Sequence, residues 1–142
     1  MNAKIFLQQI KKLDRLIENK IIEKAQWKDI ATSTTTQAGG EKVQTSHNPH
    51  KMANAIEKYV DIEREIDNCI DRRIETRKDV IAVIEQLNST EYDVLHKIYV
   101  QYLTFKEVAY KCGKSESWAT TVHGRALKNV QKILDERECA EE

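Results

Sequence analysis

Thr104-Phe105-Lys106-Glu107-Val108-Ala109-Tyr110-Lys111-Cys112-Gly113-Lys114-Ser115-Glu116-Ser117-Trp118-Ala119 holds two helix starts and one helix stop. Thr104 with Glu107 three residues later is a capping box, in which hydroxyl and carboxylate each satisfy an orphan backbone N–H. Gly113 can adopt the left-handed conformation that ends a helix, and Ser115 can cap the next one. Val108 and Ala109 turn inward on the first, short helix. Ala119, Val122, Ala126, Val130 and Ile133 recur at helical spacing and form the apolar side of the second. Two such helices joined by a tight turn make a helix-turn-helix.

Just upstream, Asn88-Ser89-Thr90-Glu91 offers another N-cap with Glu91 three residues on, and Tyr92, Leu95, Ile98, Tyr99 and Tyr102 mark a helix of about three turns. The module therefore has three helices. Farther back, Met52, Ile56, Tyr59, Ile62, Ile66, Cys69, Ile70, Ile74, Ile81, Ile84 and Leu87 run without Gly or Pro, which predicts one helix about 55 Å long. Phe6, Ile10, Leu13, Ile17 and Ile21, widened by Leu7, Leu16 and Ile22, predict a first long helix over residues 2–30. Between them, residues 31–50 are rich in Ser and Thr and hold Gly39-Gly40 and Pro49, the composition of a flexible loop. A loop there lets the two long helices fold back on each other, with Phe6, Ile10, Leu13 and Ile17 against the C-terminal half of the second. Either this packing or homo-oligomerisation must cover stripes of such length. The expected fold is all-α: a long antiparallel helical hairpin over residues 1–87, a helix-turn-helix module over 88–134 and an acidic tail over 135–142.

The chain has 142 residues with 23 Lys and Arg against 23 Asp and Glu, so overall charge points to no polyanionic partner. Local charge does. Residues 104–134 carry six basic side chains (Lys106, Lys111, Lys114, Arg125, Lys128, Lys132) against Glu107 and Glu116, whereas residues 135–142 carry five acidic and one basic. The longest apolar run, Val80 to Ile84, is far short of the roughly 20 residues a bilayer requires, and the N-terminus does not read as a signal peptide. No membrane and a cytoplasmic location are expected. Cys69, Cys112 and Cys139 are odd in number and lack C-x-x-C spacing, so free thiols are expected rather than disulfides or zinc. His47 and His50 lack companion ligands, and Gly113-Lys114-Ser115 lacks the first glycine of a phosphate-binding loop, Val108 standing in its place. No nucleophile, base and orienting group converge, so neither catalysis nor a cofactor or metal is expected.

In a helix-turn-helix the second helix enters the major groove, and its outward side reads the DNA. At about 100° per residue, Ser117, Thr121, Gly124 and Lys128 lie opposite Ala119, Ala126 and Val130, with Thr120 and Arg125 flanking. Lys111, Lys114, Arg125 and Lys128 suit phosphates. The hydroxyls of Ser117, Thr120 and Thr121 can donate or accept at base edges, and the Thr methyls can touch thymine. Gly124 costs about 1 kcal/mol relative to Ala inside a helix, which calls either for close approach of another backbone or DNA strand or for a packing reason.

Leu87-x-x-x-Glu91-x-x-Val94-Leu95, Leu103-Thr104-Phe105-Lys106-Glu107-Val108-Ala109, Gly113-Lys114-Ser115 and Val122-His123-Gly124-Arg125-Ala126-Leu127 together resemble region 4 of sigma-70-type transcription factors. The whole chain, including Gly40-Glu41-Lys42-Val43-Gln44-Thr45-Ser46 and Lys51-Met52-Ala53, is similar to small phage and prophage proteins of Gram-positive bacteria related to ArpU-like and RinA-like late-gene regulators. The resemblance implies binding to double-stranded DNA through Glu116, Ser117, Thr120 and Thr121, where sigma factors typically carry longer Arg, Glu and Gln side chains. It also implies RNA polymerase as a partner. The expected function is a DNA-binding transcription regulator of phage late genes. Two alternatives stand beside it: a DNA-packaging component of the small-terminase type, and a protein-interaction module without DNA binding.

Overall fold

The computed structural model describes residues 1–32 and 49–142, and every regular element among them is helical. α1 (Ala3–Leu7) is followed, after a turn at Gln8, by α2 (Gln9–Thr32), and α3 (Pro49–Ile84) by α4 (Ser89–Leu95). A π-helical turn (His96–Val100), α5 (Phe105–Cys112) and α6 (Glu116–Glu141) complete the chain. Among the described residues no helix is long and apolar enough to cross a membrane.

Most of the helix ends follow from local chemistry. Asn2 accepts the Lys4 N–H at 2.8 Å and opens α1, and Asn88 accepts the Glu91 N–H at 2.8 Å and opens α4. Thr104 and Ser115 cap α5 and α6, accepting from Glu107 and Trp118 at 3.2 and 3.1 Å. Gly113 sits at φ 65°, the left-handed conformation that closes α5, where a side chain would be strained. Pro49 opens α3 instead of lying in a loop. At a first helical position it has no N–H to leave unpaired and its fixed φ suits the helix. Residues 31 and 32 likewise belong to α2, and the rest of the expected loop, 33–48, lies outside the described residues.

Two compact units divide these helices: Met1–Lys12 with Arg73–Glu142 (unit 1), and Leu13–Arg72 (unit 2). In unit 1, Phe6, Leu7 and Ile10 share a core with Val80, Val83, Ile84, Leu95, Tyr99, Val100, Ala126, Val130 and Leu134. A second cluster joins Val94, Val108, Ala109, Ala119 and Val122, with Trp118 packed against it. Ala3 donates to Gln131 at 2.8 Å and the Gln131 amide returns to the Met1 carbonyl at 2.9 Å, so the start of the chain is laid against α6. What reads in sequence as an acidic tail continues α6 to Glu141. Arg137 there pairs with Asp79 at 2.9 Å and Glu138 with the N-terminal ammonium at 2.6 Å.

The π turn is not announced by the sequence. Gln101 donates to the His96 carbonyl at 3.0 Å, five residues back, and the widened turn puts the adjacent Tyr99 and Val100 both in the core. Tyr102, expected to extend this helix, leaves it at φ 61° and is partly exposed.

In unit 2, Leu13, Ile17, Ala55, Ile62, Ile66 and Cys69 are buried. The ion pairs Lys20–Glu65 (2.7 Å) and Lys24–Glu63 (3.4 Å) set α2 and α3 antiparallel there. Ile21 and Ile56, expected on the covered stripes, are instead 52% and 50% exposed, and Ile74, in the part of α3 that belongs to unit 1, is 45% exposed. The covered strip on each helix is narrower than its apolar pattern, because a helix touching one neighbour covers only the side facing it.

Candidate nucleic-acid interface

α6 is built with one face committed to packing. Ala119, Val122 and Ala126, 0%, 4% and 0% exposed, fix which side of its first half is inward. The opposite side follows from the helical angle: Ser117, Thr121, Gly124 and Lys128 are all at the surface, with Thr120 and Arg125 beside them. Lys111 at the end of α5, Lys114 in the turn and Glu116 at the start of α6 are exposed too. All nine residues singled out from the sequence are therefore at the surface. The strip from Ser117 to Lys128 is about 16 Å long at about 1.5 Å per residue.

Two details of this strip refine the expectation. Thr120 Oγ1 donates to the Glu116 carbonyl at 3.0 Å, and Thr121 Oγ1 to the Ser117 carbonyl at 2.9 Å. Their hydroxyl protons are engaged within the helix, so what these threonines offer outward is a lone pair and a methyl group. At Gly124, a Cβ would meet nothing within 4 Å. Packing among the described residues gives no reason for glycine at this helical position.

Lys106, Lys111, Lys114, Arg125, Lys128 and Lys132 make no ion pair among the described residues. The acidic end of the same helix begins at Asp135, about 27 Å along the axis from Ser117. With no basic residue in its last turn, α6 sets this negative charge against the helix dipole, an arrangement that does not stabilise the helix. Positive potential is thus concentrated over the first half of α6 and the α5–α6 turn.

Three contacts fix the orientation of α6. Glu91, only 3% exposed, accepts the Asn129 amide on both carboxylate oxygens at 3.0 and 2.9 Å, tying α4 to α6 one residue past Lys128. Glu91 stands at the capping-box position of α4, yet its carboxylate is used in this long-range contact. Its place one helical turn before the buried Leu95 was the available signal. The second and third involve His123, whose Nε2 lies 2.7 Å from the Tyr99 hydroxyl and whose ring meets Phe105 edge-on at 5.0 Å. Burial, with the charge of Lys4 added, holds the His123 pKa below its ordinary value of 6.5, and burial pushes Tyr99 up to about 12. Both groups are neutral at pH 7, so a neutral hydrogen bond links α6 to the π turn.

Among the described residues no group of His, Cys, Asp or Glu could hold a metal ion; His47 lies outside them. Cys69, Cys112 and Cys139 are free thiols. No family model, no curated protein and no solved structure matches the chain.

Proposed function

We propose that this chain is a double-stranded-DNA-binding regulator of transcription and not an enzyme. In this reading α4, α5 and α6 form a helix-turn-helix module of the sigma region 4 kind, preceded by an antiparallel helical hairpin. The observation that carries it is the outward side of the first half of α6, a strip of short side chains with a glycine that packing among the described residues does not require, in a stretch from α5 to α6 whose six cations make no ion pair among those residues. A helix of this width fits the major groove, and small side chains let its backbone approach base edges. Lys111, Lys114, Arg125 and Lys128 then take phosphates, which position the helix. Ser117, Thr120 and Thr121 take base edges, which specify sequence. Glu116 can accept from a cytosine amino group. Action on phage or prophage late genes with RNA polymerase as partner, and a cytoplasmic location, rest on the sequence resemblance alone.

A second reading, a DNA-packaging component of the small-terminase type, is favoured by the exposed Leu16, Ile21, Ile22, Ile56 and Val60 of unit 2, which suit self-assembly. Ring-sized oligomers in light scattering support it, and a monomer or dimer supports the regulator.

Selection on random duplexes tests the leading reading. The wild-type chain should enrich a defined motif. Thr121→Ala and Ser117→Ala should each weaken binding to that motif by roughly 1 to 3 kcal/mol while leaving non-specific binding nearly unchanged. Equal loss on all sequences, or an unaltered motif in both variants, places the reading surface elsewhere.

A further inference from the structure

The first twelve residues contain Lys4, Lys11 and Lys12 and no Asp or Glu. The structure sets this cationic segment in unit 1 with α5 and α6. Met1 is held at Gln131 and Glu138, and Ala3 donates to Gln131 at 2.8 Å, so the chain begins beside the second half of α6. From there the segment packs through Phe6, Leu7 and Ile10 into the core shared with Ala126, Val130 and Leu134 of α6. Its buried side chains, Ala3, Phe6, Leu7 and Ile10, fix which way it faces. Lys4 on α1, Gln8 in the turn and Lys11 at the start of α2 are all exposed. At the far end Lys11 Nζ stands 5.9 Å from the ring centre of Tyr102, which lies two residues before the Thr104 cap of α5. Neither Lys4 nor Lys11 makes an ion pair among the described residues.

We infer that the strip Lys4–Gln8–Lys11, with Tyr102, is a second phosphate-contacting surface, gripping the DNA backbone beside the groove that α6 enters. The inference rests on the DNA-binding reading and extends it to a segment that the sequence assigns to helix packing alone. Two lysines on either side of the Gln8 turn, in a segment packed against α6, give fixed points of positive charge, and Gln8 can donate to a phosphate oxygen between them. Tyr102, positioned by its left-handed backbone, holds the Lys11 ammonium over its ring and limits where that charge can go. The strip contributes affinity and register and carries no sequence information.

The test is a salt titration of the full chain on its selected duplex, comparing wild type, Lys4→Ala/Lys11→Ala and Lys4→Arg/Lys11→Arg. The alanine pair should lower the slope of log K against log salt by about 1.8, about 0.9 for each phosphate no longer neutralised. Its selected motif and thermal midpoint should match wild type, and the arginine pair should restore the slope. An unchanged slope in the alanine pair overturns the inference while leaving the DNA-binding reading standing. Failure of the wild-type chain to bind duplex DNA overturns both. Loss of binding to polyglutamate with duplex binding intact assigns the strip to an acidic protein partner and also overturns it.

Discussion

In unit 1 the side chains of Leu7, Val80, Val83, Ile84, Val94, Leu95, Val108 and Val130 are fully enclosed, whereas in unit 2 Leu16, Ile21, Ile22, Ile56 and Val60 project into solvent. Both regions are helical and both carry apolar residues at helical spacing. They differ in how many helices surround each stripe. Unit 1 gathers α1, the end of α3, α4, α5 and α6, so a stripe on one helix meets several others. Unit 2 holds segments of α2 and α3 alone among its described residues. Two cylinders in contact cover one narrow strip each, and residues a third of a turn away stay wet. Periodicity reports which segments become helices, while burial depends on how many neighbours the topology supplies.

The largest expected effect breaks the comparison if it fails. Val108→Asp places a carboxylate where nothing can solvate or pair it and should destabilise the chain by several kcal/mol, enough to unfold it. Ile22→Asp, at a side chain 57% exposed, should stay within about 0.5 kcal/mol in the monomer. The same small effect is expected of Ile74→Asp, since Ile74 is 45% exposed although its apolar stripe predicts burial. Chemical denaturation of the three variants gives the answer. A large loss from Ile22→Asp means that another surface covers unit 2 in solution.

A smaller effect of opposite sign sharpens the picture of unit 1. Gly124→Ala introduces a methyl group into open space on a helix, so stability should rise by about 1 kcal/mol. On the DNA-binding reading, affinity for the selected duplex should fall in the same variant, because the methyl group then stands between helix and DNA. A variant that is more stable and binds DNA equally well removes Gly124 from the interface.

The smallest effect is the pH dependence at His123. Its folded pKa lies below the 6.5 of the unfolded chain because burial and Lys4 disfavour the charged ring. The unfolded state therefore binds the proton first. This stability is fully present above pH 6.5 and is lost as pH falls from there through the folded value. His96 shifts the same way, chiefly through burial. Thermal midpoints should decline as pH is lowered through this window, and His123→Gln, which retains an acceptor for Tyr99, should show a shallower decline. Equal pH dependence in both chains contradicts the assignment.

The parts of this molecule that the sequence made legible are those set by residues a few positions apart. Asn88, Thr104, Gly113 and Ser115 mark helix ends because a cap is a contact over three or four residues, and each does so in the structure. The outward face of α6 was legible for a similar reason: once Ala119, Ala126 and Val130 face inward, helical geometry places Ser117, Thr121 and Lys128 opposite. Long-range choices were hidden. Nothing local tells Glu91 to seek Asn129 or Ala3 to meet Gln131. The π turn has no residue signature either, so Tyr102 was counted into a helix it leaves. The direction of the Thr120 and Thr121 hydroxyls is not legible either, because their rotamers, which send the protons to carbonyls four residues back, are not set by spacing.

Whether the first half of α6 meets duplex DNA is read from the salt-dependent binding of the Arg125→Ala/Lys128→Ala chain. Both side chains are exposed and neither lies in a core cluster, so the variant should fold normally. The account predicts weaker binding to specific and non-specific duplexes alike, with a slope of log K against log salt reduced by about 1.8. Affinity and slope equal to those of the wild-type chain would contradict it.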